Sequence, residues 1–281
     1  MITESRACHG GVGTRVLAVA GGGTPVILLH GYGDSADTWR PVLAGLAAAG
    51  RRGCAVDLPG FGQADKRTAG PMVPQFDAFV DALLTDTGPA VLVGNSLGAA
   101  TAVRAASRSC HVRSLVALND PLNARHWLAQ LARRRALPSR LWSGLGRAPI
   151  PSPMLRRATR LVMPKLLYGP GVEPDPLVIA YWCGTAAPIS AVANLGRYAF
   201  QYALETAGGH RDLQVECPAV IVHGARDRII PVQASRVLHR QIPGSELVVL
   251  PRSGHCPQLD NPAEVARIIL RLSDVQGAGQ P

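Results

Sequence analysis

The sequence predicts an α/β protein: a mostly parallel central sheet with helices on both faces, carrying one helical insertion. Three observations predict it. Over the first 120 residues, short apolar runs closed by glycine or proline alternate with stretches of helical periodicity. Alternation of this kind implies parallel strands joined by crossover helices. From 121 to 212 the rhythm breaks into helical fragments interrupted by proline, and from 213 it resumes. Finally, 47% of the 281 residues are hydrophobic and 17% charged, which supplies a sizeable core and argues against wholesale disorder. The expected organisation is a core of 1–120 and 213–281 with an inserted helical cap, or lid, over 121–212.

Each element has its own local reason. "PVILLHG" (25–31) is a short apolar run ended by glycine, the mark of a buried strand. "DTWRPVLAGLAAAG" (37–50) carries apolar residues at helical spacing and stops at glycine. "GCAVDLPG" (53–60) is a strand followed by a Pro-Gly turn. In "PQFDAFVDALLTDTG" (74–88), Phe76, Phe79, Val80, Leu83 and Leu84 share one helical face. "PAVLVGN" (89–95) is a strand, "LGAATAVRAASRS" (97–109) a helix and "VRSLVALND" (112–120) another strand. After the insertion come strand "PAVIVHG" (218–224), helix "VQASRVLHRQI" (232–242), strand "SELVVL" (245–250) and helix "PAEVARIILRL" (262–272).

The N-terminus lacks the basic flank and apolar core of a signal peptide, and no apolar run reaches the roughly 18 residues of a membrane span. A cytoplasmic protein is therefore expected, with peripheral membrane contact left open. Six scattered cysteines form no CxxC pair, so buried free thiols are expected rather than a metal site or disulfides. The net charge of +10 is local: 121–170 holds ten Arg or Lys and no Asp or Glu, and the other residues hold 19 of each sign. Nucleic-acid binding would place that charge on a recognisable module, and none is present. Trp and Leu interleave with these arginines, a pattern that suits an anionic membrane surface as well as a solvated cap face.

The stretch "VGNSLGAA" (93–100) carries the chemistry. Ser96 stands between a strand and a helix with Gly94 and Gly98 on either side, the pattern of a nucleophile elbow. The turn must be tight, and the N–H of Leu97 at the helix start can stabilise a developing oxyanion. A hydroxyl nucleophile needs a base. Of eight histidines, His255 in "PRSGHCPQLDNP" lies on a loop just past a strand. His30 and His223 each precede a glycine at a strand end, and the others lack an evident site. The base needs an orienting carboxylate. Asp227 in "HGARDRIIP" follows a strand, Asp120 in "ALNDP" is its rival, and Asp57 in "DLPGFG" reads as structural. The order Ser96, Asp227, His255 matches one of the three known triad orders.

Together "LLHGYGDSADTW", "DLPGFG", "VGNSLGAA", "HGARDRIIP" and "SGHCPQLDNP" resemble, in order, the oxyanion loop, second turn, elbow, acid loop and histidine loop of the α/β-hydrolase superfamily, in its cap-bearing serine hydrolase branch. The resemblance implies that Tyr32 donates the second oxyanion N–H beside that of Leu97. It implies catalysis by Ser96, Asp227 and His255 without a metal or organic cofactor. Cap-bearing branches that use an aspartate nucleophile are excluded by Ser96. The expected activity is hydrolysis of a carboxylic ester, with carbon–carbon bond hydrolysis, perhydrolysis or acyl transfer on the same residues as alternatives. A non-catalytic binding protein on this scaffold would not need an intact acid and base. Eight of the 13 aromatic residues fall in 121–212; most are expected to pack cap on core, and a few to line an apolar acyl site facing Tyr32 and Trp39.

Overall fold

A computed structural model describes residues 1–123 and 139–274. Eight strands form one sheet in the order β1-β2-β4-β3-β5-β6-β7-β8. They are β1 (Thr3–His9), β2 (Val12–Val19), β3 (Gly22–Leu29), β4 (Arg51–Val56), β5 (Ala90–Asn95), β6 (Val112–Leu118), β7 (Ala219–Gly224) and β8 (Glu246–Leu250). From β4 through β8 every pairing is parallel. The β1–β2 hairpin adds two antiparallel strands at one edge, with Thr3 opposite Ala18 and Val16 opposite Val56. Apolar alternation is weak in β1, whose residues are mostly exposed, so the expected layout began only at 25.

Helices cover both faces. On one lie α1 (Arg40–Ala48) and α9 (Pro262–Asp274); on the other lie α2 (Val73–Thr87), α3 (Leu97–Ala106) and α8 (Gln233–Gln241). Leu17, Leu28, Trp39, Leu43 and Ile269 are buried in the first layer, and Ile27, Leu29, Phe76, Val103 and Ile221 in the second. β5 and β7 are buried along their whole length. This explains why they read as unbroken apolar runs: both of their faces meet helices. Trp39, expected at a pocket wall, is fully buried in the α1 layer instead. It follows a 3-10 turn, Ala36–Trp39, that points its ring inward.

Between β6 and β7 the described residues form α4 (Ser139–Leu145), α5 (Ser152–Leu167), α6 (Pro176–Thr185) and α7 (Ile189–Glu205). α4 packs on α7 through a Trp142–Phe200 edge contact, and α5 packs on α6. Of the basic stretch, Arg125, Arg133, Arg134 and Arg135, with Trp127, lie outside the described residues, as does the side chain of Arg140. Among the described residues no single helix is long and apolar enough to cross a membrane. α6 and α7 would reach that length only together, and they meet at 96°.

The chain runs from β3 out to β4 on one side and returns to β5 on the other. This reversal of strand order opens a crevice at the carboxyl ends of β3 and β5, where ligands bind in open α/β sheets. His30, Gly31 and Ser96 all sit at that crevice.

Candidate active site

Ser96 follows β5 with φ 53° and ψ −115°, a left-handed conformation that costs a non-glycine residue energy and persists only where its surroundings impose it. The surroundings are backbone. A Cβ on Gly94 would run into the carbonyl of Gly98, and a Cβ on Gly98 would run into the carbonyls of Leu29 and His30. Strand and helix therefore approach as closely as two glycines permit. The Ser96 N–H donates to the Leu118 carbonyl at 2.9 Å, tying the elbow to β6. α3 starts at Leu97, whose N–H is one of the helix-initial donors left without an intrahelical acceptor.

His255 and Asp227 are brought together at the carboxyl end of the sheet. The His255 Nδ1 lies 2.8 Å from Asp227 Oδ2, with both side chains almost wholly buried. Asp227 also accepts from the N–H groups of Ile229 (2.7 Å) and Ile230 (3.0 Å) and from the Asn119 amide (2.5 Å). Burial alone would raise its pKa, but His255, the Ile230 N–H and Asn119 outweigh burial and hold it below the ordinary value. An ionised Asp227 takes the Nδ1–H of His255, which leaves Nε2 as the nitrogen able to accept a proton. The loop is anchored to the elbow directly: the Asn95 amide donates to the His255 carbonyl at 3.0 Å.

Asp120, the rival carboxylate, bonds elsewhere. Its Oδ2 lies 2.9 Å from His210 Nε2, and its Oδ1 accepts from the Leu122 N–H at 2.9 Å. Both partners are buried. The rival carboxylate is thus committed to another histidine, one that had no evident site in the sequence. Its neighbour Asn119 is the residue that sequence reasoning missed. Asn119 adopts φ 51° at the end of β6, and its side chain spans the Asp227 carboxylate and the Gly224 N–H. An asparagine at a strand end, where a left-handed turn suits it, was the available signal.

The other strand-end histidines are scaffolding. Burial keeps His30 neutral; its Nε2 accepts from the Leu58 N–H at 2.9 Å, so Nδ1 donates to the Gly31 carbonyl at 2.7 Å. His223, also held neutral chiefly by burial, bridges Ser235 and the Ile230 carbonyl beneath the acid loop. Asp57 is structural as expected: it binds the Arg15 guanidinium and the N–H groups of Ala36 and Gln63. Two of the six thiols depart from expectation, since Cys8 and Cys110 are exposed while Cys183 and Cys256 are buried.

The loop after β3 lies under α6 and α7. A Cβ on Gly31 would sit 3.4 Å from Ser96 Cβ, so this loop borders the elbow. Tyr32 donates its hydroxyl to the Leu195 carbonyl at 2.6 Å and packs edge-on against Phe61. Tyr181 donates to the Asp34 carbonyl at 3.0 Å, and the Trp182 ring lies over Gly33. The helices after β6 thus cover the loop with aromatic and aliphatic groups. A separate groove of about 560 Å³ lies behind the histidine loop, lined by Pro170, Arg252, Asp260 and neighbours rather than by Ser96 or His255.

Known proteins resemble this chain over most of its length. An uncharacterized protein of Mycobacterium tuberculosis is 29% identical over 286 residues, covering 96% of this chain and 81% of the relative. Two relatives are 28% identical. One is a 2-hydroxy-6-oxo-6-(2'-aminophenyl)hexa-2,4-dienoic acid hydrolase of Metapseudomonas resinovorans, with 93% of this chain and 87% of the relative covered. The other is a pimeloyl-[acyl-carrier protein] methyl ester esterase of Chromobacterium violaceum, with 91% and 96% covered. The crystal structure of a serine hydrolase involved in carbazole degradation superposes with a TM-score of 0.75 at 23% identity, over 98% of this chain and all of that one. The model of the alpha/beta hydrolase family matches residues 26–268, and this chain is therefore a member of the alpha/beta hydrolase family.

Proposed function

We propose that this hydrolase cleaves a carboxylic ester of a lipophilic substrate through an acyl-enzyme on Ser96. The observation that carries the reading is the buried His255–Asp227 pair, whose loop is bonded to the residue before a serine held in a left-handed elbow. His255 Nε2 takes the Ser96 proton as Oγ attacks the acyl carbonyl. Asp227 holds the tautomer and stabilises the imidazolium. The N–H groups of Leu97 and Tyr32 receive the oxyanion. His255 then protonates the leaving alcohol, and water releases the acid by the same steps.

The apolar cover on the oxyanion loop supports a lipophilic acyl group, and 121–212 acts as the cap that shapes its pocket. The acyl part lies beneath Trp182 and Leu195. The dienoic acid hydrolase relative, as similar as the esterase one, favours carbon–carbon bond cleavage as the second reading.

A panel of p-nitrophenyl esters of increasing chain length, run beside a ring-fission dienoate, separates the two. Turnover rising with chain length supports the ester. Turnover of the dienoate alone supports the second reading. Ser96→Ala is expected to lose three or more decades of rate with its fold intact, and a fluorophosphonate is expected to label Ser96. Ester turnover retained within about tenfold in Ser96→Ala would remove Ser96 from the mechanism.

A further inference from the structure

We propose that the outer surface of α4 and α5 docks on an anionic lipid bilayer. Seven of the ten strongly exposed large apolar side chains among the described residues lie between 141 and 177. Leu141 is 57% exposed, Met154 63%, Leu161 60% and Leu177 61%. Soluble surfaces rarely gather such side chains into one region without a binding role.

The arrangement on α5 is specific. Met154, Ala158, Leu161 and Lys165 follow at spacings of four, three and four residues, so they form one ridge along the helix. Val162 widens it. Arg157 and Arg160 line one flank of that ridge, and Arg156 follows further round the helix; all three are exposed. Arg147 extends the positive surface beyond α4. From 121 to 172 the sequence offers no Asp or Glu to neutralise them. The inner edge of the helix, Leu155, Thr159 and Met163, is partly covered, so the ridge is the unpartnered side.

A convex aliphatic ridge flanked by arginines fits acyl chains below a layer of phosphate headgroups. An acidic protein would meet the arginines but leave the ridge without acyl chains to enter. The surface is also joined to the candidate site. The Cys256 N–H donates to the Leu167 carbonyl at 2.9 Å, so the last turn of α5 is bonded to the residue after His255. Delivery of a bilayer-dissolved ester to Ser96 rests on the serine hydrolase reading; the docking itself does not.

The test is co-sedimentation of the full chain with vesicles of phosphatidylglycerol and phosphatidylcholine mixed, and of phosphatidylcholine alone, at low and high salt. Binding to the mixed vesicles that falls at high salt is expected. The triple variant R156Q/R157Q/R160Q is expected to bind about a hundredfold more weakly, and Met154→Ser with Leu161→Ser to bind more weakly with its salt dependence kept. Turnover of a water-soluble ester is expected to be unchanged in both. If no ester is turned over by the unmodified protein, the ester reading fails while the vesicle result still stands. Negligible or equal binding to both vesicle types overturns the docking proposal, whatever the variants do. Capture by polyglutamate without capture by vesicles overturns it in favour of an acidic protein.

Discussion

Asp34 offers a sharp test of how the site region is built. It is 3% exposed, one carboxyl oxygen has no hydrogen-bond partner, and among the described residues no basic side chain pairs with it. Burial pushes its pKa from 3.8 up to about 7, against the lowering effect of the Ser35 N–H and Thr38 hydroxyl; Asp37 and Asp57 push the same way as burial. The sign follows. Between those two values the unfolded chain has lost the proton and the folded chain keeps it. Stability contributed by the neutral carboxyl is complete below pH 3.8 and is lost as pH rises through about 7. The difference of roughly three pKa units corresponds to about 4 kcal/mol. Asp34→Asn keeps the shape and removes the titration. Relative to the unmodified protein, the variant is expected to gain stability steadily from pH 4 to pH 7 and to hold that gain above it. For a chain of this size the full effect is about 7 °C in Tm. Thermal unfolding of both proteins across that range reads it. A Tm difference that does not change with pH, or that favours the unmodified protein more at pH 8 than at pH 5, would refute a neutral buried Asp34.

Asp227→Asn is expected to lower kcat by about four decades through the wrong His255 tautomer, while Asp120→Asn leaves kcat within about tenfold and lowers stability by weakening the His210 pair. A larger kcat loss in the second, in side-by-side steady-state assays, moves the orienting role to Asp120. Because Asp227 is held below 3.8, its contribution to stability is present above that pH and lost as pH falls through its folded value. Acid unfolding of Asp227→Asn is therefore expected to be less steep below pH 4, as read by circular dichroism. Gly98→Ala pushes a methyl into the Leu29 and His30 carbonyls and is expected to cost about 1–3 kcal/mol by denaturant melts. Gly184→Ala in α6 meets nothing within 4 Å and is expected to stabilise by up to about 1 kcal/mol; equal effects at both positions would contradict the close approach. Under limiting maleimide, Cys8 and Cys110 are expected to label first. Cys256, whose thiol is buried and pushed well above its usual range, is expected to label last, as peptide mass mapping would reveal.

Much of the architecture is legible because it depends on local patterning. β5 and β7 are buried on both faces, and continuous burial leaves a continuous apolar run. Ser96 is legible because a left-handed elbow wedged between backbones demands Gly94 and Gly98, which no side chain can replace. Asp227 and His255 are legible because each follows a strand at the same end of a parallel sheet, and parallel strands bring their ends together however far apart they are in sequence. The β1–β2 hairpin was not legible: its outer strand is exposed and lacks the alternation that burial imposes. Trp39 and Asp120 each looked fit for the site by position, and only the tertiary structure decided against them. A side chain's direction and partner are set by what packs around it, and Asp120 meets His210 from a segment that no local pattern connects to it. Asn119 shows the converse. It gains its place at the carboxylate of Asp227 from 108 residues away, because β6 and β7 are neighbours in the sheet, and that adjacency is a property of strand order rather than of any stretch of sequence.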